Sequence, residues 1–366
     1  MIRSVVNRIL IVTALFMSSL GFAMAQEHTP EGQETHQEKK EKFNVGDMIM
    51  HHIRDGRGWE FAHGVTLPLP VILYSKDRGL EVFSSSRLAH DAVYNNYQSD
   101  DHGHLHRVDE AGKPVEGVHV YDFSITKNVA SLLLSAIILI TIFLAVAKGY
   151  TTNKGKAPKG IQAFLEPIVL FVRDEIAKPN LGPGYEKYLP YLLTLFFFIL
   201  TNNLLGLLPG AANLTGNIAV TLVLAIITFL IVNLNGKNTY WSHLIRPTGV
   251  PILLLPIMIP VEIVGLFMKP FSLMIRLFAN ITAGHIIILS LISLIFIANN
   301  LGGTATGWGI SLIVAPFTIF MNLIELLVAF LQAFIFTLLT SMYIGGAIEE
   351  HGDADHGMGY DGPAAH

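Results

Sequence analysis

The chain has no cysteine, which excludes disulfides, thiolate metal sites and cysteine nucleophiles. Charge is scarce too: 14% of the 366 residues are Asp, Glu, Lys or Arg, against about 25% in soluble domains. No G-x-x-x-x-G-K-[ST] loop occurs, so no ATP chemistry is expected on this chain. The absence of H-E-x-x-H and G-x-S-x-G argues against an intramembrane hydrolase. No internal repeat of about 20–50 residues and no inverted pair of apolar segments is visible, which counts against a secondary transporter with two related halves. The net charge of −4 is mild and names no partner.

What the chain does have is apolar length. Hydrophobic residues make up 51% and the mean hydropathy is +0.50, so this is an integral membrane protein. Residues 1–25 read as a secretory signal, with Arg3 and Arg8 before an apolar core and Ala23-Met24-Ala25 as the cleavage site. That implies a bacterial chain with its mature N-terminus outside the cytoplasm. Residues 26–128 form a periplasmic N-terminal region. Its first part, 26–42, is polar enough to stay unfolded. A short helix is expected at Phe43–Ile53 and strands at Val65–Tyr74 and Leu80–Phe83, with Pro68 and Pro70 favouring an edge or an irregular ribbon. The loop 100–106 carries His102, His104 and His106; solvated histidines are favoured over a metal site, and no cofactor or metal is expected.

Residues 129–348 hold the spans. Val129–Ala147 is uncharged and long enough to cross a bilayer. The following loop has Lys148, Lys154, Lys156 and Lys159 without an acid, which marks it cytoplasmic. Ile161–Ala177 keeps helical spacing of apolar residues broken by Glu166, Arg173, Asp174 and Glu175, as an interfacial amphipathic helix does. Tyr188–Leu208 and Asn217–Leu234 form a hairpin, with Asn202 and Asn203 as interhelical hydrogen-bond partners or the lining of a polar path. Pro251–Ala298 and Trp308–Ile348 are too long to stand upright: at about 1.5 Å per residue they reach roughly 60–70 Å against a hydrocarbon core of about 30 Å. Each is either steeply tilted or a hairpin, with Lys269-Pro270 and Pro316 as candidate breaks. The acidic tail 349–366 is expected to be cytoplasmic and disordered.

The stretch 262–290 concentrates the chemistry. Glu262, Lys269 and Arg276 recur every seven residues and fall near one line of a helix, with Asn280 one turn beyond. His285 points to about the opposite side. A charge at mid-membrane costs about 2.5–3.5 kcal/mol on insertion scales, so such residues face protein or water and mark function.

The run KPFSLMIRLFANITAGH resembles the core motif of subunit a of F-type ATP synthases, the stationary ion channel of a rotary motor. FVRDEIAKPNLG, TNNLLGLLPG and NLIELLVAFLQAFIFTLLTSMYI resemble further family segments in the same order. The match covers about 129–348 well and 43–60 weakly; residues 61–127 are outside the common pattern, with capping of the channel mouth or contact with a neighbouring complex both open.

The resemblance implies an all-α integral membrane protein with five membrane-spanning helices, the last two long and steeply tilted against a rotor ring, plus the N-terminal periplasmic region. It implies a multi-pass protein of the bacterial inner membrane, N-terminus periplasmic and C-terminus cytoplasmic. It implies no catalysis by this chain alone, and as partners the rotor ring of subunit c, the peripheral-stalk subunit b, membrane lipid and the remaining synthase subunits, with no nucleic acid. It matches the essential cation to Arg276, the external half-channel to His285, Glu325 and Gln332, and the cytoplasmic one to Glu262, with Asn280 beside the arginine. Many relatives carry a carboxylate where His285 stands and a histidine where Glu325 stands; the exchange keeps one imidazole and one carboxylate. A proton is the favoured ion. The alternatives are a Na+-translocating version of the same subunit and, less well supported, a secondary transporter.

Overall fold

A computed structural model describes residues 55–62, 65–100, 104–109, 113, 115, 119–152, 154–208, 212–245 and 251–348. These belong to one compact unit, Asn44–His366. The expected signal sequence, the polar stretch after it, the helix at Phe43–Ile53 and the acidic tail lie outside the described residues.

The N-terminal part is β-rich, with strands across and beyond the two stretches expected. β1 (Gly58–Ala62) pairs β2 (Val65–Pro68); β3 (Pro70–Ser75) lies between β4 (Gly79–Ser84) and β7 (Val120–Asp122); β5 (Tyr97–Ser99) pairs β6 (Leu105–Arg107). All pairings are antiparallel. Alternation puts Val71 and Leu73 inward against Tyr97 and Leu105, a small core that excludes water. The β3–β4 connection closes Ser75 on Gly79, whose φ of 75° is left-handed and suits glycine. Asn95 and Asn96 both adopt positive φ between the bridged Tyr94 and Tyr97, as a two-residue primed turn demands. Around this core, burial alone would raise the Asp122 carboxyl, but hydrogen bonds from Ser124 and Arg57 more than reverse that. The Arg107 guanidinium holds the Asp77 carboxyl below the usual carboxylate range.

The rest is helical. α1 (Lys127–Thr152) is long, apolar and mostly exposed along its length. α2 (Ile161–Phe171) runs on through a π-helical turn, Val172–Ala177, to a last turn at Lys178–Leu181. α3 (Tyr185–Gly206) and α4 (Ile218–Leu234) follow, and α5 (Asn238–Ile245) bends from α4 by 101°. The final run, Leu255–Ile348, is two helices separated at Gly303, which has φ 76° and ψ 179°. We call them α6 (255–302) and α7 (304–348).

By length and apolar composition three helical stretches among the described residues can cross a membrane, or four if α4 and α5 form one bent passage, with α2–α3 and α6–α7 each taken as single continuous stretches.

Neither proline of the long segments breaks its helix. Pro270 lies within α6 and Pro316 within α7, so the candidate turns at Lys269-Pro270 and Pro316 are not used. The chain reverses at Gly303 instead, between the two apolar stretches, where only a residue without Cβ takes that backbone at little cost. The antiparallel pairing is visible at three levels: Gly307 packs against Asn299, Gly284 against Glu325, and the Lys269 ammonium sits 5.6 Å from the Tyr343 ring centre.

The helical core joins α2, α3, α6 and α7 through Val172, Ile176, Phe196, Leu273, Leu277 and Phe336. Edge-on aromatic contacts tie α1 to α3 (Phe143–Phe197, 5.0 Å) and α3 to α7 (Phe196–Phe330, 5.8 Å). The π turn has a definite use. The Ile176 carbonyl accepts from the Asn180 side-chain amide at 2.7 Å and from the Ser341 hydroxyl of α7 at 3.2 Å. One turn further along α7, Gly345 lies so close to the Asn180 carbonyl that a Cβ would overlap it. The Lys237 amide donates to Ala347 O at 3.0 Å, which puts the ends of α4 and α7 on the same side.

Candidate functional site

α6 presents two different surfaces. Leu266, Leu273, Leu277, Ile281 and Ile288 recur at helical spacing and are buried. Arg276, Asn280, Ala279 and Ala283 lie beside that stripe and are exposed. Arg276 therefore sits on an outer face of an apolar helix, and among the described residues it has neither an ion pair nor a hydrogen bond. The two alanines leave room for another helix to come close.

The second surface meets α7. Glu325 is 7% exposed and Gln332 3% exposed. A Cβ placed on Gly284 would lie 3.3 Å from Glu325 Oε1, 3.4 Å from its Cδ and 3.5 Å from its Cγ. The carboxylate thus rests on bare backbone, one residue from the half-buried His285. Gly284 belongs to the site, and sequence reasoning passed over it; its place directly before His285 was the available signal. Asn322, one turn before Glu325, donates to Thr318 O of its own helix at 2.9 Å.

A polar seam continues behind this pair. Asn203 of α3 donates to Ala329 O of α7 at 2.9 Å and accepts from the Thr215 hydroxyl at 2.7 Å, both buried. It is an interhelical partner, one of the two roles open for it. Its neighbour Asn202 donates to Phe198 O at 2.8 Å, while its own buried carbonyl oxygen has no partner among the described residues. The Thr337 and Thr340 hydroxyls of α7 are likewise buried without a partner among those residues. Such groups are costly in an apolar interior unless water or a transient proton carrier satisfies them.

Glu262 lies elsewhere. It lines a cleft of about 330 Å³ with Lys269, His243, Tyr240 and Tyr343, between α5, α6 and the end of α7. Lys269 was expected as a helix-break or interface residue. The helix runs on past it, and its ammonium faces the Tyr343 ring. His243 and Tyr343 come from distant parts of the chain, so spacing gave no warning of them.

Of the predicted residues, then, Glu325 lies against Gly284, the residue before His285, Gln332 lies two turns further along α7, Arg276 and Asn280 share the outer face of α6, and Glu262 is apart from both. In the histidine-bearing loop the Asp100 carboxylate accepts from the His104 amide at 2.7 Å, closing a turn; His102 lies outside the described residues. No group of three potential metal ligands occurs among the described residues.

The fold and this site define a polytopic helical membrane protein with an exposed guanidinium, Arg276, on an apolar helix and a separate buried carboxylate. Comparison with known proteins agrees. Residues 129–345 match the ATP synthase A chain family, and the chain belongs to it. ATP synthase subunit a of Chloroherpeton thalassium is 46% identical over 245 residues, covering 65% of this chain and 71% of that protein. ATP synthase subunit a 2 of Chlorobaculum tepidum is 41% identical over 338 residues, 90% of this chain and 80% of that one. ATP synthase subunit a of an Anaeromyxobacter species is 39% identical over 325 residues, covering 85% and 73%. A second match, over residues 48–123, is to a domain of unknown function (DUF8433).

Proposed function

We propose that this chain is the stationary ion-conducting subunit of an F-type ATP synthase membrane sector. On this reading it does no chemistry on ATP. It passes protons to and from carboxylates on a ring of subunit c through two offset half-channels, and so couples proton flow to rotation. The observation that carries the reading is Arg276: a guanidinium on the exposed face of an apolar helix, followed on that face by two small alanines, with no partner among the described residues of its own chain. Such a group needs an acidic partner from another chain, because exposure to lipid would cost several kcal/mol.

The chemistry follows. A guanidinium does not give up its proton in a protein, so Arg276 is no relay. A ring carboxylate arriving beside it is favoured in the ionised form and must first release its proton. The same charge bars direct leakage between the two paths. His285 and Glu325 serve the external path, with Gln332 and the Asn202–Asn203 seam beyond them; imidazole titrates near neutrality, which suits hand-off. Glu262 and its cleft serve the cytoplasmic path. The drive is the membrane potential, about 2.3 kcal/mol per charge per 100 mV.

The reading places the chain in the bacterial inner membrane with five spans, α1, α3, α4, α6 and α7, the N-terminus periplasmic and the C-terminus cytoplasmic, beside the c ring and the peripheral-stalk subunit b. The basic loops after α1 and α4 support that orientation. Arg276→Ala is expected to abolish proton-driven ATP synthesis in inverted membrane vesicles while the complex still assembles. Normal synthesis by an assembled Arg276→Ala complex would overturn the assignment.

A further inference from the structure

The outer face of the β4–β3–β7 sheet is apolar except for Ser84 at its end. Register places Ile72 beside Val82, and Phe123 donates its amide to Ile72 O at 2.8 Å. Tyr74 lies between Leu80 and Tyr121. Leu80, Val82 and Phe123 are 65%, 61% and 65% exposed, and Tyr74 and Tyr121 are 44% and 49% exposed. Single exposed apolar side chains are ordinary; an entire sheet face of them is not. The acids of these strands point the other way. Glu81 accepts from the Tyr97 hydroxyl at 2.7 Å, and Asp122 pairs with Arg57. The turn at the end of the face carries exposed Lys76 and Arg78, while Asp77 between them is paired with Arg107. The charge left at that turn is positive.

This face is also tethered to a membrane span. Ile125, two residues before α1, donates to Pro70 O of β3 at 3.1 Å, while Lys127 and Asn128 in the first turn of α1 donate to Gly56 O at 2.8 Å and Asp55 Oδ1 at 3.2 Å, just ahead of β1. Phe123 stands six residues before Val129, at most about 20 Å away along an extended chain. Below it the surface of α1 is exposed and apolar, at Val129, Leu133, Ile137 and Ile140. We propose that the β4–β3–β7 face rests on the periplasmic surface of the bilayer, its aromatic and aliphatic side chains in the headgroup–acyl boundary and Lys76 and Arg78 on anionic lipid headgroups. The Tyr74 and Tyr121 rings, 6.3 Å apart, are amphipathic groups of the kind enriched at that depth. A positive turn at the end of an uncharged apolar face complements anionic lipid. The inference needs α1 to cross the bilayer and is independent of the ion path.

The lack of native cysteine makes the test direct. Leu80→Cys, Val82→Cys and Phe123→Cys are each spin-labelled in the assembled synthase, in a background where any cysteines of the other subunits are replaced. The complex is reconstituted in liposomes of phosphatidylethanolamine and phosphatidylglycerol, with Lys113→Cys as the water-exposed control. Collision with oxygen should exceed collision with a water-soluble nickel chelate several-fold at the three face positions, and the order should reverse at 113. Retained ATP synthesis by each labelled complex shows that the label has not unfolded it. Nickel accessibility at the face equal to that at 113 would overturn the proposal. So would protection from both reagents, which would mean a protein covers the face.

Discussion

The contact between Gly284 and Glu325 gives the most quantitative test of the proposed external path. An alanine at 284 would place its Cβ 3.3 Å from Oε1 and 3.4 Å from Cδ of Glu325. That is tight, and the carboxylate need yield only a few tenths of an ångström, at a cost below about 1 kcal/mol. A valine adds two methyl groups, each about 1.5 Å further out from Cβ. At least one occupies space now held by the carboxylate. Glu325 is 7% exposed and cannot swing into open water, so it must change rotamer. Overpacking of this kind costs about 1–3 kcal/mol, and a reacting group misplaced by about 1 Å loses on the order of a hundredfold in rate.

ATP-driven proton pumping in inverted vesicles, normalised to the amount of assembled complex, should therefore fall a few-fold in Gly284→Ala and about ten- to a hundredfold in Gly284→Val. Shortening the acid should compensate in part. Glu325→Asp alone withdraws the carboxylate and should slow pumping, but in the Gly284→Val background it should raise pumping above that of Gly284→Val alone. Residues in contact are where such non-additivity is expected. Pumping near the wild-type rate in Gly284→Val, or strictly additive losses in the double variant, would refute the argument that this glycine seats the carboxylate.

Glu325→Ala should slow proton transport more than Gln332→Ala, because only the carboxylate can carry a proton; equal rates in vesicle pumping assays would count against the relay. Asn203→Ala removes a buried amide bridging α3 and α7 and should lower the stability of the detergent-solubilised complex by about 0.5–2 kcal/mol, read by thermal unfolding, with no change expected if the bridge is inert. The β region should be acid-sensitive. The folded pKa values of Asp77 and Asp122 are depressed, so their stabilisation is complete above the unfolded carboxylate range of about 4 and is lost as pH falls through the folded values. Trp59 is buried in β1. Its fluorescence, followed in a variant with Trp241 and Trp308 replaced by Phe, should shift red below about pH 4 and not between pH 6 and 8. Stabilisation on acidification would contradict the sign of both shifts.

Much of the helical part was legible because apolar length and charge placement are local properties. The uncharged run at Val129–Ala147 falls inside α1, and the interrupted amphipathic pattern of Ile161–Ala177 coincides with α2 and its π turn. The reversal at Gly303 was not read. Prolines attract attention as breakers, yet Pro270 and Pro316 are absorbed within long helices packed on their neighbours. The decisive signal was a glycine pair at 302–303, between two segments already separated on hydropathy. In the N-terminal part the stretch expected as one strand at Val65–Tyr74 holds β2 and most of β3, and that at Leu80–Phe83 falls in β4, whereas β5, β6 and β7 are three residues each, too short for any periodicity to register. At the site, helical spacing relates residues of one helix to each other directly from their numbering. Contacts across helices, such as Gly284 with Glu325 or Lys269 with Tyr343, depend on the register of α6 against α7, and that register is set at Gly303.

The same register separates the cation from the carboxylate. Arg276 stands on the exposed side of α6, and Glu325 is buried on the side where α6 meets α7. Gly284, which seats the carboxylate, is eight residues and about 12 Å along the helix from Arg276. Glu262 opens into a different cleft, fourteen residues and about 21 Å down the helix from Arg276. On the proposed reading this spacing is what makes the chain a stator and not a pore. On that reading a proton at Glu325 does not pass to Glu262 through this chain, since Arg276, between them along α6, holds its proton permanently. It can make the journey only on a carboxylate that belongs to a moving partner. The fixed guanidinium then makes that partner travel the long way round, because a protonated acid passes Arg276 only by giving up its proton.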